Sequence, residues 1–416
     1  MTDQIESKTG PQGDEPPRPE EALLLSLVEE LAGAERVVCT SLGRGQFAAA
    51  LARRFPETRV HLSLLDVYQT EHAQRSCAGA GANLSIACEA DFPTGLPGDP
   101  IQYDAACFPV SRSGEAELVR DRLQAAYLAL KPGGRLIAAI DYSDDKWLHG
   151  EIEALCGRVE RRDLSVPAPT TNDESSASDE ASAGGELNAR VEPKRGPAPK
   201  PKNKRKADDG PRMISGVIYI GKRGDLPKKL RNFHDEFAYR DAGRLIRAIS
   251  RPGVFSHRRL DLGARKILDA MEIRPGERVV DLGCGAGTLS FAAALRAENV
   301  IVRAVDSSAR AIEATLTGAK LNDLTNITAD LSANGVLSDA GTFSLVLANP
   351  PYYSGFKLAR VFLDAAHWAL APNGRLLLVT QFPEWYLENA PRWFEDVTST
   401  EAKKYYIIAG RKRTRA

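Results

Sequence analysis

Three stretches in the second half of the chain combine residue types and spacing that could do chemistry. In "VVDLGCGAGT", Asp281, Gly283, Gly285 and Gly287 stand between an apolar run that reads as a strand and a segment that reads as a helix. Glycines at such a turn permit a tight bend and let a ligand approach the backbone, where helix-terminal N–H groups can meet its polar atoms. The next strand, "VRAVDSS", ends in Asp306, where a carboxylate can receive both hydroxyls of a ribose. That arrangement suits a dinucleotide and S-adenosylmethionine equally. A further acid, Asp330 in "NITADLSANG", follows a third short strand. It either accepts from an adenine amine or serves as a helix cap or solvated loop acid.

The third stretch is "LANPPYY", at the end of the apolar run "FSLVLA". Prolines there remove backbone donors and stiffen the exit of a strand, which is one sufficient reason for them. The chemical reason concerns an amine attached to a planar π-system, whose lone pair is delocalised and therefore poorly nucleophilic. Acceptors that hold its hydrogens favour a localised lone pair. The Asn349 side-chain oxygen and the Pro350 carbonyl suit that task, with Pro351 fixing the turn that exposes the carbonyl. Tyr352 offers a ring on which the planar group can stack, roughly 1–3 kcal/mol by analogy with single-strand binders. Trp385 and Tyr386 in "QFPEWYLE" read equally well as core or as a wall of the same pocket.

These residues need strands and helices in alternation to bring them together, and the chain supplies that pattern twice. Setting Glu35-Arg-Val-Val38 over Glu277-Arg-Val-Val280 gives an offset of about 240 residues that persists through "LKPGGRLIAAID" and "LAPNGRLLLVTQ". An internal duplication of that length is a repeated domain, not a solenoid. The predicted fold class is α/β, with two tandem Rossmann-like units built on mainly parallel sheets flanked by helices. Residues 1–20 lack apolar periodicity and are expected to be disordered. The first unit is expected at 21–225 and the second at 226–416. The tract from Pro167 to Pro211, rich in Pro, Ser, Ala and charge, cannot bury a core. Because "MISGVIYIGKR" after it is similar to the closing "KKYYIIAGRKR", the tract reads as an insertion into the last hairpin of the first unit.

In the first unit the chemistry-bearing positions differ. "CTSLGRG" has Cys39 in place of the acid, Ser41 in place of the first glycine, and Arg44 inside the loop. Its fourth strand ends "CFPV", without the asparagine or the double proline. This half is expected to keep the fold and lose the activity, with Asp66 as a weak trace of a nucleoside site.

Composition narrows the function classes. The 416 residues carry 55 basic and 55 acidic side chains, which excludes a wholesale basic protein but not a local patch. The six cysteines stand singly, with no CxxC pair, so no zinc site, other metal centre or disulfide framework is expected. No apolar run is long enough for a membrane span and the first residues do not resemble a signal peptide, so a cytoplasmic location is expected. Basic runs at Lys194–Lys206, in "HRRLDLGARK", in "KKLRNF" and in "GRKRTRA" suit phosphate contacts as well as plain solvation.

Taken together, the glycine motif and the NPPY motif resemble those of the class I S-adenosylmethionine-dependent methyltransferases that methylate amines on planar groups. "RPGVFSHRRLDLGARKILDAM" and the duplication further resemble the bacterial rRNA guanine-N2 methyltransferases of the small and large ribosomal subunits. That resemblance implies a degenerate first domain, a catalytic second domain and S-adenosylmethionine as methyl donor. It also implies guanine N2 of ribosomal RNA, free or within a ribosomal subunit or assembly intermediate, as substrate. Cofactor contacts would fall on Asp281, Gly283, Gly285, Gly287, Asp306 and Asp330, with Phe255 and Ser256 flanking the pocket. Catalysis would fall on Asn349, Pro350, Pro351 and Tyr352. The ribosomal enzymes commonly have Asn-Pro-Pro-Phe followed by His where this chain has NPPY followed by "YSGF", which leaves the nucleotide open. Rival functions are methylation of protein glutamine N5 or DNA adenine N6, and, from another class, a non-catalytic RNA-binding or ribosome assembly factor.

Overall fold

The computed structural model describes residues 16–93, 95–96, 99–100, 102–168, 213–227, 229–351 and 354–413. Most of the tail and of the low-complexity tract, together with Tyr352 and Tyr353, lies outside them. The tail expected to reach residue 20 gives way to helix α1 (Pro19–Leu25), opened by a proline at its first position with Glu20 and Glu21 buried.

The first sheet is built from β1 (Arg36–Cys39), β2 (Arg59–Leu64) and β3 (Leu84–Cys88), with α2 (Gln46–Arg54) and α3 (Val67–Ser76) as crossovers. After the two-residue ladder β4 and β5 (Gly95–Leu96, Asp99–Pro100) come β6 (Tyr103–Pro109), α4 (Ala116–Ala129), β7 (Leu130–Ile140), α5 (Trp147–Cys156), β8 (Val159–Pro167) and β9 (Met213–Lys222). Its order is β3-β2-β1-β6-β7-β9-β8, parallel except for β9, which runs antiparallel to both neighbours. Pro167 pairs with Met213, so both ends of the low-complexity tract are held side by side.

The second unit begins with a hairpin that no reading of the sequence anticipated, β10 (Asp235–Asp241) and β11 (Arg244–Ser250). Ala242 and Gly243 both take positive φ in its two-residue turn, the conformation that matches the twist of paired strands. The chain before it, beyond the boundary expected at Asp225, still packs on the first unit, where Arg231 N–H donates to the Gln124 side chain at 2.9 Å. Then follow α6 (Leu262–Ala270), β12 (Arg278–Leu282), α7 (Thr288–Arg296), β13 (Ile301–Asp306), α8 (Ala309–Leu321), β14 (Ile327–Leu331) and β15 (Phe343–Ala348). The unit closes with α9 (Lys357–Ala369), β16 (Leu370–Thr380), α10 (Pro383–Asn389), β17 (Phe394–Ala402) and β18 (Tyr405–Lys412). Its sheet order, β14-β13-β12-β15-β16-β18-β17, repeats that of the first.

Why the central strands read as unbroken apolar runs follows from their place. Val37, Val38 and Cys39, like Val279 and Val280, have no exposed surface because helices cover both faces of each sheet. Alternate residues then feed opposite layers: Val279 joins the core under α6 and α7, Val280 the core under α9. No helix among the described residues is long and apolar enough to cross a membrane.

The two units meet over a cluster of buried charges. Arg310, with no exposed surface, donates to Asp121 at 2.6 Å, to the Pro252 carbonyl at 2.7 Å and to the Ala90 carbonyl at 3.1 Å. Arg251 reaches Asp91 at 2.6 Å, Glu313 at 3.1 Å and Asp121 at 3.3 Å. Arg122 lies over the Phe92 ring and is pulled down to about 9 by burial and by the neighbouring Arg310. Removing one partner of a buried pair leaves the other charge uncompensated, a loss of about 3–5 kcal/mol. Arg310→Met is expected at the lower end, about 3 kcal/mol by urea denaturation, because Arg251 remains beside Asp121. An unchanged unfolding midpoint would show that the cluster carries no net stability.

Candidate active site at the switch point of the second sheet

Strand order reverses at β12, which has β13 on one side and β15 on the other, and crevices of this kind open at the carboxyl ends of the strands. Leu282 pairs with Val305 and with Ala348, so Gly283, Asp306 and Asn349 reach that edge together. The Gly283 and Cys284 amides donate to the Val305 carbonyl at 2.8 and 3.0 Å, which folds the glycine loop back over β13.

Gly283, Gly285 and Gly287 all take positive φ, between 54° and 77°. Gly283 is exposed, and Gly285 lies under Phe255, whose carbonyl oxygen would sit 3.5 Å from an added Cβ. Gly287 has a different reason to be glycine. A Cβ there would come within 2.5 Å of the Phe291 ring, so its smallness serves helix packing rather than the crevice. Phe255 is half exposed beside the loop, whereas the Ser256 hydroxyl is spent on the Arg259 carbonyl at 2.6 Å.

The three acids separate into different roles. Asp306 ends β13 with both oxygens engaged, one accepting from Gly285 N–H at 2.9 Å and the other from Ser308 N–H at 2.9 Å. Burial pushes its carboxyl up from the ordinary range. Asp281 is buried under α7, where it accepts from the Ser290 amide at 3.0 Å and hydroxyl at 2.6 Å. Asp330 pairs with Arg303 at 3.0 Å, so that oxygen is engaged with a neighbouring strand.

Asn349 is half buried, and its amide nitrogen donates to Asp261 at 2.9 Å. An ionised carboxylate only accepts, so this bond turns the amide with nitrogen toward Asp261 and leaves the oxygen as the free acceptor. The same Asp261 oxygen caps α6 by accepting from Ala264 N–H at 3.0 Å. Asp261 was not singled out in the sequence; the cap pattern of an aspartate before an apolar helix was the one signal available. Pro350 is buried and Pro351 half buried, and Tyr352 lies outside the described residues. Nearby, Trp385 stacks on Phe356 with centroids 4.7 Å apart and Phe382 meets Phe356 edge-on, while Tyr386 is core. Among the described residues no group of His, Cys, Asp or Glu could hold a metal ion.

The corresponding loop of the first unit has its donors satisfied from within. Ser41 Oγ accepts from the Gly43 and Gly45 amides at 2.9 and 3.0 Å, and the Gln46 side chain accepts from Arg44 N–H at 3.2 Å. Ser41 in turn donates to Glu21, which also accepts from Gln46 N–H at 3.1 Å and has no exposed surface. A carboxylate from α1 thus fills the loop, and Cys39 and Cys107 are buried on the strands beneath it.

The Methyltransferase small domain model matches residues 246–409. Uncharacterized protein YbxB of Bacillus subtilis is 30% identical over 168 residues, 38% of this chain and 83% of that protein. Ribosomal RNA small subunit methyltransferase C of Pseudoalteromonas translucida is 33% identical over 152 residues, 36% of this chain and 44% of that enzyme. The enzyme of that name from Haemophilus influenzae is 30% identical over 186 residues, 44% of this chain and 55% of its own length. The chain thus spans about half the length of these two enzymes. The T. thermophilus 16S rRNA N2 G1207 methyltransferase (RsmC), solved with AdoMet and guanosine, has the same tandem fold. It superposes with a TM-score of 0.66 at 20% identity, covering 95% of this chain and 92% of that one.

Burial pushes the Asp281 carboxyl up to about 6. Its folded-state value exceeds the unfolded one, so the folded chain holds the proton longer and stability falls as pH rises from about 4 to about 6. In thermal unfolding, wild type should lose roughly 3 kcal/mol against Asp281→Asn across that window. Parallel curves for the two proteins would contradict this assignment.

Proposed function

The chain belongs to the methyltransferase small domain family, and from that membership and the geometry around Asn349 we propose that it methylates an exocyclic amine, most specifically guanine N2 of ribosomal RNA. S-adenosylmethionine, held by the glycine loop and Asp306, would supply an electrophilic methyl on a sulfonium; the amine lone pair would take that methyl while sulfur kept the S–C electron pair, and the proton then shed by the amine would pass to water. The exposed Gly283 gives the cofactor an approach to the backbone, Gly285 ties the loop to Asp306 through its N–H, and Asp306 suits the ribose hydroxyls. The observation that supports the reading is the Asp261–Asn349 bond, which engages the amide nitrogen and leaves the amide oxygen as the acceptor at the end of β15.

Asn349 Oδ1 and the Pro350 carbonyl hold the hydrogens of the amine, which favours a localised lone pair directed at the methyl. Alignment of this kind needs no covalent nucleophile. Asp330 and Asp281 take supporting places: Asp330 for an adenine amine through whichever oxygen Arg303 leaves open, Asp281 by anchoring α7 under the loop. Tyr352 is proposed as the stacking ring. The RNA target must be unstacked to enter. The first unit, with Glu21 in its loop, is read as non-catalytic.

Small-subunit rRNA is the favoured substrate because two relatives carry that name. The test is transfer of tritiated methyl from S-adenosylmethionine to ribosomal subunits, total RNA, DNA and release factors, followed by mass spectrometry of nucleosides and peptides. N2-methylguanosine in small-subunit RNA is the expected product. Label in glutamine or adenine would identify a rival substrate, and bound cofactor without any label would favour an assembly factor. Asn349→Ala should reduce transfer at least about a hundredfold with the fold intact. Asp261→Ser keeps a helix cap yet is too short to reach Asn349, and should lower kcat roughly tenfold without weakening cofactor binding.

A further inference from the structure

Asp66, which caps α3 two residues beyond β2 and takes the place that Ser308 holds before α8, is already engaged. Its Oδ1 accepts from Gln69 N–H at 3.1 Å and caps α3, while its Oδ2 accepts from the Ser307 hydroxyl of the second unit at 2.6 Å. Around that bond the two units exchange backbone. Val67 N–H donates to the Ser307 carbonyl and Ala309 N–H to the Leu65 carbonyl, each at 2.8 Å, and Asp66 and Ser308 form an isolated antiparallel bridge. Each turn gives one donor and takes one, as two equivalent turns facing across a local two-fold must.

The turn held in this way is the one that presents Asp306. Ser307 follows that acid, and Ser308 N–H is one of its two backbone donors. We propose that the first unit is a positioning element of the cofactor site: through Asp66 and Val67 it holds the 307–309 turn in the geometry that aims Asp306 at a ribose. This inference rests on the reading of Asp306 given above and adds to it a part played by the unit without an open glycine loop. A turn released from that hold would have to be ordered on binding, and the ordering would be subtracted from affinity. The effect should therefore fall on cofactor affinity and leave the chemical step alone.

Two substitutions in the full-length chain isolate the contact. Val67 is the first residue of α3, where proline is well tolerated because that N–H has no helical partner. Asp66 before it is already extended, with φ −122° and ψ 130°, as a residue preceding proline requires. Val67→Pro thus deletes the donor to Ser307 and leaves α3 able to form. Ser307→Ala deletes the hydroxyl donor with even less disturbance. Glu117→Gln removes a different contact between the units, the ion pair to Arg258 at 3.1 Å, and serves as the control.

Binding of S-adenosylmethionine is measured by isothermal titration, with thermal unfolding and kcat at saturating cofactor alongside. Each turn variant should weaken Kd roughly three- to tenfold, the range one hydrogen bond supplies. Glu117→Gln should leave Kd within about twofold, and kcat should be retained throughout. Unchanged Kd in Ser307→Ala, or an equal loss of affinity in Glu117→Gln, would overturn the inference and reduce the contact to general adhesion. If Val67→Pro fails to fold, Ser307→Ala decides alone. A wild-type chain that binds no cofactor would instead overturn the parent reading.

Discussion

The architecture turns on one contact, the antiparallel pairing of residues 65–67 with residues 307–309. Backbone groups at a strand-to-helix turn have few partners of their own, and here each unit supplies the other's. The pairing fixes which ends of the two sheets meet: the carboxyl end of β2 lies against that of β13, so the crevice of the second sheet opens at the junction. Arg310, Arg251 and Asp121 surround the contact in the buried layer behind it. Buried ion pairs are costly to desolvate, and their best-attested use is to specify one arrangement over others. A junction that must keep register around the 307–309 turn has a use for that property.

The duplicated loops show one backbone plan put to two ends. A glycine-rich turn leaves amides that must find acceptors once buried. In the second unit Asp306, at the end of β13, takes one of them. In the first, Ser41, Gln46 and Glu21 take them internally, with Glu21 reaching over from α1. Replacement of the strand acid by Cys39 and arrival of Glu21 are therefore complementary. A loop filled by the protein's own carboxylate keeps the fold without a ligand, and β2 ends in Leu64 where β13 ends in Asp306.

What could be read from the sequence is what parallel order guarantees. Apolar runs locate strands, and adjacent parallel strands bring their last residues to a common edge, so the glycine loop, Asp306 and Asn349 could be placed together without coordinates. Side-chain partners chosen across many residues could not. Asp261 lies 88 residues from Asn349, and Arg303 takes Asp330 only because β13 and β14 are neighbours in this register. Asp281 and Gly287 belong to a familiar motif, yet Asp281 anchors Ser290 and Gly287 clears the Phe291 ring. Motif membership does not distinguish a ligand contact from the packing that supports one. The hairpin at 235–250 had a readable alternation in "EFAYRDAGRLIRAIS", with Ala-Gly at its turn.

Gly263 shows how closely the Asn349 amide is tied to local packing. A Cβ at that position would stand 2.9 Å from the Asp261 carboxylate and 3.0 Å from Asn349 Oδ1. One oxygen of Asp261 therefore serves two donors, the helix amide and the Asn349 amide, in a space that only glycine leaves open. Because the cap that starts α6 is also the anchor that orients Asn349, the start of that helix cannot shift without turning the acceptor. The NPPY motif supplies the group, and a segment some ninety residues earlier decides which way it faces.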